Sequence, residues 1–289
     1  MKSISCAFFV LLALTDAGCQ IETLQAPEMA VISQLQPLNK EKTLNADINV
    51  NIGSVEVSGS EDPASLYSLD LDYDKANSQP DINYSSAAGG EEGRLSFALR
   101  DSAKTGARTA RQDTKLRINF SNLIPLDMKL ITGVGESRLN LSGGRLARLD
   151  FTSGVGSTKI SSYDPNQVAC EHLHIKNGVG ELDAVGLGNL NFSSLEYQGG
   201  VGAANLDFTG EWKQDADIKI EVGVGAVRLK MPRNIGVRVE APKSFLSGLH
   251  LDGFDKVDNL YYSDNYDAAK IRIFIRIATG IGECRISWV

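Results

Sequence analysis

Residues 128–139 read MKLITGVGESRL, and the Gly-Val-Gly at the centre of this stretch decides the fold. The tripeptide occurs five times, at spacings of 21, 24, 22 and 23 residues, and a Gly-Ile-Gly follows near the end of the chain. A fixed period of this size is typical of solenoids and other stacked repeats. The glycines expected to have a structural role are Gly133, Gly135, Gly154, Gly156, Gly178, Gly180, Gly200, Gly202, Gly223, Gly225, Gly280 and Gly282.

Apolar residues alternate on both sides of each tripeptide, but the alternation changes phase there. In the first copy Met128 and Leu130 precede the first glycine by five and three residues, and Leu139 follows it by six. At this last position every copy carries Leu or Ile except the third, which has Ala184. A shift of one residue at a glycine is typical of a bend or bulge in a strand. Each repeat is therefore predicted to be two short strands around a corner, in an all-β, stacked β-solenoid with a repeat of about 22 residues.

The N-terminal half is predicted to begin with the same corner, because Asn51-Ile52-Gly53 stands at the glycine positions. Alternating segments over 66–73, 95–99 and 116–120 follow, separated by turns near 89–90 and a polar loop over 101–113. The patterns divide the chain into a signal peptide (1–18), a tether (19–42), an N-terminal β domain (43–125) and a C-terminal β-solenoid repeat domain (126–289).

The composition limits the range of functions. The chain has 289 residues, 42% of them hydrophobic, which is enough for one large core or two ordinary domains. Its net charge of −7 and its scattered basic residues exclude a nucleic-acid partner. Lys2, the apolar run over 4–14 and the small residues before position 19 predict export by a signal peptide. Neither this run nor any later stretch reaches the roughly 20 apolar residues that a membrane-spanning helix needs.

Some side chains are candidates for chemistry, but each has a simpler structural explanation. Cys284 stands four residues after its first glycine, at an inward position, which predicts a core thiol rather than a nucleophile. His172 and His174 flank Leu173 and are predicted to form a surface pair without a third metal ligand. The acidic, tyrosine-rich loop over 252–267 has oxygen ligands that suit calcium and rings that suit a sugar, but it is predicted to be solvated with its tyrosines folded onto the stack. No catalytic residue, metal or cofactor is predicted.

The sequence resembles the toast-rack family of bacterial envelope proteins, together with the C-terminal domains of LiaF-type proteins and adhesin-like β-repeat proteins. The resemblance is carried by residues 51–57 (NIGSVEV), 125–135 (PLDMKLITGVG), 146–151 (LARLDF) and 235–240 (IGVRVE), and by Tyr261, Tyr266 and 280–282. It implies the fold over nearly all of the mature chain but little chemistry, because the family has no agreed activity. LiaF-type members are implicated in sensing envelope damage through a partner kinase, and they usually carry N-terminal transmembrane helices, which this sequence lacks.

The end of the signal segment resembles a bacterial lipobox, in which the thiol of Cys19 would be lipidated and would become the mature N-terminus. Asp16 occupies a position that is usually Leu in such motifs, so ordinary cleavage after Ala17 is the alternative. A lipid would hold the protein at a membrane surface, on the periplasmic or extracellular side of the envelope. The remaining cysteines, Cys170 and Cys284, are not expected to form a disulfide.

The favoured function is a non-catalytic, adhesin-like envelope lipoprotein that acts as a binding or scaffold module through flat polar faces of the solenoid. Its partners would be the membrane surface and an envelope protein or a cell-wall polysaccharide. The alternatives are a LiaF-like regulator of envelope stress and a carbohydrate-active β-helix enzyme, although the outward positions supply no cluster of carboxylates for catalysis.

The last coil of the stack is expected to leave an open sheet edge unless another segment covers it. The sequence stops at Val289, directly after the last corner strand, and 57 residues separate the fifth and sixth copies of the tripeptide. This segment is predicted to form one or two irregular coils with a long loop. An open sheet edge favours pairing with another chain. The last coil is therefore predicted to be covered by the N-terminal region, by the long loop or by a second copy in a homo-oligomer.

Overall fold

The computed structural model describes residues 28–101, 114–241 and 248–289. These residues form seventeen β-strands in one hydrogen-bonded sheet and one turn of 3-10 helix at Leu187–Leu190. The N-terminal strands are β1 Met29–Pro37, β2 Thr43–Ile52, β3 Ser54–Ser60, β4 Ser65–Asp74, β5 Ser78–Ser86, β6 Glu92–Asp101 and β7 Lys115–Ser121. The repeat strands are β8 Leu126–Asn140, β9 Leu146–Ser161, β10 His172–Val185, β11 Ser194–Asp207 and β12 Ala216–Met231. The last strands are β13 Gly236–Glu240, β14 Gly248–Leu251, β15 Phe254–Val257, β16 Leu260–Ser263 and β17 Arg272–Trp288.

The long strands bend at the tripeptide, as the change of phase predicts. In β8 the buried side chains lie at even positions up to Thr132 and at odd positions from Ser137. Strands β8, β9, β10, β11, β12 and β17 pair in parallel with their tripeptides in register. Because the long strands bend, the continuous sheet has two walls: the strand halves before the corners form one wall, called the first sheet, and the halves after them form the other, called the second sheet. The inner sides of the two walls enclose one apolar core. The predicted all-β stack is therefore confirmed.

The layers approach each other very closely at the corner. Gly156 has a φ of +145°, which L side chains rarely adopt, and a Cβ there would lie 2.8 Å from the carbonyl carbon of Gly135 and still nearer to its oxygen. Gly154 has no positive φ, but a Cβ on it would collide with the carbonyl group of Gly133. The two glycines thus exclude a side chain for different reasons, one by conformation and contact, the other by contact alone.

Turns and short loops close each coil on the side away from the corner. Asn166 there accepts a hydrogen bond from the N–H of Leu146 at 2.8 Å and donates one to the carbonyl oxygen of the same residue at 2.8 Å. Asn189 donates to the carbonyl oxygen of Ser162 at 2.8 Å in a neighbouring layer. These buried side-chain amides form hydrogen bonds with backbone groups at the turns, which would otherwise be buried without a partner. No helix in the described part of the chain has the length and apolar character to cross a bilayer.

The N-terminal region joins the stack directly. Ile52 pairs with Val134, and Gly53 has a φ of +140°, so the predicted N-terminal corner is confirmed. β2 also pairs in parallel with β6, and β3 with β7, while β5 and β4 flank these two strands in antiparallel orientation. The three predicted alternating segments lie in β4, β6 and β7. Of the predicted polar loop, residues 102–113 lie outside the described residues.

The tether predicted over 19–42 is wrong where the structure describes it. Residues 29–37 form β1, which pairs with β4 and places Ile32 opposite Leu71, against the core. The physical reason is that the even-numbered side chains of β1 are half-buried on the inner side of the sheet, whereas a solvated tether would leave Ile32 exposed to water. Residues 1–27, with the predicted signal peptide and Cys19, lie outside the described residues, and the boundary at 125/126 stays a prediction.

The segment between the fifth and sixth repeats covers the C-terminal end of the stack. β12 pairs in parallel with β17, and on the other side of β17 lie β13, along its first half, and β14, along its second half. β16 pairs with β13, and β15 with β16, in an antiparallel hairpin. The predicted irregular coil is confirmed. The last Gly-Ile-Gly strand is covered by the long loop region between the fifth and sixth repeats, which is one of the three covers that the sequence predicted. The last strand of the sequence is thus not the last layer of the stack.

Candidate binding face

The outer side of the second sheet carries an open groove with a volume of about 860 Å³. The groove crosses the strands from β3 to β17, and successive layers lie about 4.8 Å apart. Two columns of outward side chains form its floor. The column nearer the corner contains Glu56, Arg138, Lys159, Asp183, Asn205 and Arg228. The other column contains Ser58, Asn140, Ser161, Val185, Asp207, Lys230 and Ser287.

Tyr163 and Val185 add apolar surface to the groove. Tyr163 follows the end of β9 and is 70% exposed, and Val185 at the end of β10 is 39% exposed. An exposed tyrosine offers a rigid apolar ring with a polar tip, which suits contact with a ligand that is itself both apolar and polar. Tyr163 cannot be recognised from the sequence, because a single aromatic residue in a loop carries no periodic signal.

The carboxylates in the groove are all engaged. For Asp207, burial would raise the pKa, but hydrogen bonds from Thr209 and Lys230 outweigh this effect and hold the pKa below its usual value. Asp207 is therefore ionised and is not the acid with a raised pKa that glycoside hydrolysis requires. The pairs are Glu56 with Lys115 at 3.2 Å, Asp183 with Asn205 at 2.6 Å and Asp207 with Lys230 at 3.0 Å.

The groove is locally basic on an acidic protein. Four basic side chains line it against three acidic ones, whereas the whole chain has a net charge of −7. Within the described ranges neither Lys159 nor Arg228 forms an ion pair, and Arg228 only reaches the side-chain oxygen of Asn205 at 3.5 Å. Lys159 lies on β9 and Arg228 on β12, three layers or roughly 14 Å apart. The two cations are available to acidic groups of a ligand.

A row of exposed apolar side chains follows the corner. It consists of the middle residues of the tripeptides, which are 41–63% exposed: Val134, Val155, Val179, Val201, Val224 and Ile281. They pair in register from layer to layer. The expectation of purely polar outer faces is therefore incomplete. The signal was present in the sequence, because the middle residue is always Val or Ile.

The two histidines lie on the outer side of the first sheet, as predicted. Their ring centroids are 6.2 Å apart. His174 Nδ1 lies 3.1 Å from Asp150 Oδ1, and His172 Nδ1 lies 3.3 Å from Ser194 Oγ. No three His, Cys, Asp or Glu side chains of the described residues are placed to hold a metal ion together.

Both described cysteines are buried and unpaired. Cys284 points inward beside Val227 of the neighbouring layer, which confirms its predicted orientation. Burial raises the pKa of both Cys170 and Cys284 to about 12. Since the thiolate is the nucleophile, neither side chain is reactive at neutral pH.

The acidic, tyrosine-rich segment over 252–267 contains the β15–β16 hairpin, with Asp258 at the turn in a left-handed conformation (φ +57°). Tyr261 packs against the core, which confirms the predicted folding of this tyrosine onto the stack. The rings of Tyr262 and Tyr266 meet edge to face at 5.1 Å. These contacts hold the tyrosines in the packing of the segment that covers the C-terminal end of the stack.

Comparison with solved structures gave remote likenesses that extend over most of the chain. A proposed cell adhesion protein from Clostridium sporogenes shares 22% sequence identity over 91% of this chain and 100% of its own, with a TM-score of 0.49. A proposed adhesin from Bacteroides fragilis shares 13% identity over 90% of this chain and 99% of its own, with a TM-score of 0.37. No curated protein shows a significant sequence match.

A protein-family model gives the assignment. The model of the N-terminal domain of toast_rack, DUF2154, matches residues 25–183 and again 165–230. The two matches together span more than half of the chain, and they include the N-terminal corner and all five Gly-Val-Gly corners. The chain therefore belongs to the toast-rack family.

Proposed function

We propose that this protein is a non-catalytic, adhesin-like envelope lipoprotein that binds an extended polar polymer, such as a cell-wall polysaccharide, along the groove of the second sheet. The observation that carries the proposal is the groove itself, which runs from β3 to β17 with Tyr163 exposed beside it. Export and lipidation at Cys19 are part of the proposal and rest on the N-terminal sequence.

The shape of the groove favours a long ligand. Small-molecule sites are concave and bury most of the ligand surface. This groove is open, but each layer of the stack adds a further pair of outward, mostly polar side chains about 4.8 Å along. A polymer can use many such weak contacts at once. Lys159 and Arg228, which form no ion pair with the described residues, favour a polymer that carries acidic groups.

The chemistry of the groove favours binding over turnover. Asp207 is ionised and paired with Lys230, and Glu56 and Asp183 are engaged by Lys115 and Asn205. The two buried cysteines lie in the core, away from the groove, with pKa values near 12. These features support a binding module.

The test is retention of the purified protein on cell-wall polysaccharide and on a glycan array. The variants are Tyr163→Ala and Lys159→Ala, and Lys129→Ala on the outer side of the first sheet is the matched control. Losing a ring contact of about 0.5–1.5 kcal/mol should weaken binding roughly two- to twelvefold without changing Tm. Unchanged retention of both groove variants would contradict the proposal. Release of soluble fragments would indicate the enzyme alternative, and co-purification with a membrane kinase instead of polysaccharide would indicate the regulator.

Lipidation is tested separately. Palmitate labelling of the full chain in a bacterial host should label the wild type and not Cys19→Ala. An unlabelled wild type would leave cleavage after Ala17 as the explanation, and the protein would then be exported without an anchor.

A further inference from the structure

β1 ends the second sheet with one hydrogen-bonding edge unpaired. β1 pairs with β4 along its other edge, and within the described ranges no strand lies beyond β1. The carbonyl oxygen of Glu28 accepts from the N–H of Lys75 at 3.0 Å. Hydrogen-bonded pairs of an antiparallel ladder recur at every second residue, so the even positions face β4. The N–H and C=O groups of positions 29, 31, 33 and 35 therefore point to the open edge.

The edge of β1 lacks the features that prevent the edge strand of a monomeric protein from pairing with a strand of another chain. Such strands usually carry charges or an internal proline. Between Met29 and Pro37 there is no charged residue, and proline occurs only at the last position. By contrast β5, which ends the first sheet at the same end of the stack, has Pro80 and Asp81 inside it. The unprotected edge indicates a partner strand.

The side chains of β1 indicate that the partner is β1 itself. The exposed face of β1 is symmetric about Ser33, because a large apolar side chain lies two residues away on either side. These side chains are Val31, 69% exposed, and Leu35, 63% exposed. A two-fold axis through Ser33 would set Val31 of one copy opposite Leu35 of the other. The exposed residues so paired, Val31 with Leu35 and Ser33 with Ser33, are odd-numbered and direct their backbone groups to the edge, so they would form the hydrogen-bonded pairs of the new ladder.

We infer that two copies of this chain dimerise by antiparallel pairing of β1 with β1 about an axis through Ser33. Closed two-fold symmetry is the commonest arrangement of homo-oligomers. The dimer joins the two second sheets into one and covers both open edges. A pair of nine-residue strands is smaller than the standard interface of about 800 Å² per partner, so the dimer should dissociate on dilution.

The dimer would also place two grooves on one continuous outer surface. The odd residues of β1 lie on the outer side of the second sheet, as shown by Ser33 beside Asp70, whose carboxylate accepts from the Ser33 hydroxyl at 2.6 Å. This is the side that carries the groove. Two linked grooves would bind one polymer with higher avidity than either alone. Only this consequence rests on the proposed function.

Cysteine cross-linking tests the register, in the full chain with Cys19→Ala so that no lipid holds copies together. Ser33→Cys would meet its own copy on the axis, where paired Cα atoms are about 5.5 Å apart, within the disulfide range of about 4.4–6.8 Å. Val31→Cys, on the same face of the same strand, would be offset from its own copy by four residues, or roughly 14 Å. We expect mild oxidation to give covalent dimers with Ser33→Cys and not with Val31→Cys. Equal cross-linking of both, or none, would overturn the inference.

Sedimentation velocity over a dilution series gives a second test. The double variant Val31→Lys, Leu35→Lys should be monomeric with an unchanged Tm, because both side chains are exposed in the monomer. The control Val257→Lys changes a valine on β15 that is also more than half exposed (56%) and should dimerise like the wild type. A wild type that stays monomeric at all concentrations refutes the dimer. Retention on polysaccharide, measured on the same samples, reports on the groove, so failure of the dimer and failure of the proposed function are distinguishable.

Discussion

Replacing Gly156 with alanine would place a methyl group where two layers of the stack are in contact. The backbone there has a φ of +145°, and this region is essentially restricted to glycine, with a cost of about 1–3 kcal/mol for other residues. The new Cβ would overlap the carbonyl oxygen of Gly135, and even the carbonyl carbon behind that oxygen would lie only 2.8 Å away, whereas ordinary contact begins at 3.4 Å. The layers must therefore move apart by more than half an ångström at this corner.

That displacement would weaken the inter-layer hydrogen bonds beside the corner. Two such bonds contribute about 1–3 kcal/mol together, at about 0.5–1.5 kcal/mol each. Adding the conformational strain gives a loss of about 2–6 kcal/mol in the free energy of unfolding. The free energy of unfolding of an ordinary domain is about 5–15 kcal/mol. The variant should therefore be severely destabilised but should still fold unless the wild type lies at the lower end of these stabilities.

Two alanine variants separate the causes. Gly143 has a φ of +61°, but a Cβ added there would lie 3.7 Å from its nearest neighbour, Asp164 Cβ. The loss of stability in Gly143→Ala therefore measures the backbone strain alone, about 1–2 kcal/mol. Gly154→Ala has no positive φ and reports the close contact alone. Urea unfolding followed by circular dichroism should place Gly156→Ala as the least stable of the three. If Gly156→Ala unfolds at the same urea concentration as Gly143→Ala, the layers can separate without cost and the reasoning is wrong.

Three further predictions concern the core and its titratable groups. Phe151→Ala, at a fully buried side chain, should lower the free energy of unfolding by about 3–5 kcal/mol in urea titration, while Thr152→Ala beside it, half-buried, should cost much less. Cys170 and Cys284, with pKa values of about 12, should not react with Ellman's reagent at about pH 8 until urea unfolds the protein; a reactive thiol in the native state would contradict their burial. For Glu41, burial would raise the pKa, but hydrogen bonds from the Tyr84 hydroxyl at 2.6 Å and the Asn39 N–H at 2.7 Å outweigh it and lower the pKa below 4.5. Because the pKa of Glu41 is lower in the folded state than in the unfolded state, its ionised form stabilises the protein above the unfolded-state pKa, and this stabilisation is lost as the pH falls through the folded-state pKa. The Tm of Glu41→Gln should therefore decrease less than that of the wild type between about pH 5 and about pH 3. An identical decrease in both proteins would count against this role of Glu41.

Local patterns predicted the repeat correctly. The alternation on either side of Gly133 and Gly135 reports which side chains face the core, because side chains of a strand alternate at every residue. The same counting placed Cys284 inside. It failed for β1, whose alternation is carried by few strongly apolar residues and whose position depends on β4, some 40 residues further along the chain.

The candidate site was less predictable. The two columns of the groove follow from the register of the repeats, so their residues could be named from the sequence. The open groove with Tyr163 in its lining could not, because the loop that carries Tyr163 has no counterpart of fixed length in the other repeats. The apolar row along the corner could have been found, since Val134 and its equivalents repeat with the glycines.

By itself the sequence determined that this chain builds glycine-hinged β layers around one apolar core, since alternation and backbone conformation act over a few neighbouring residues. Only the tertiary structure decided the order of the layers, in which β17 enters between β12 and the β13–β14 coil and β1 is left at an open edge. Parallel strand pairing joins residues that are far apart in the chain, and similar repeats offer many almost equivalent partners. The choice among those partners is therefore made by packing of the whole stack.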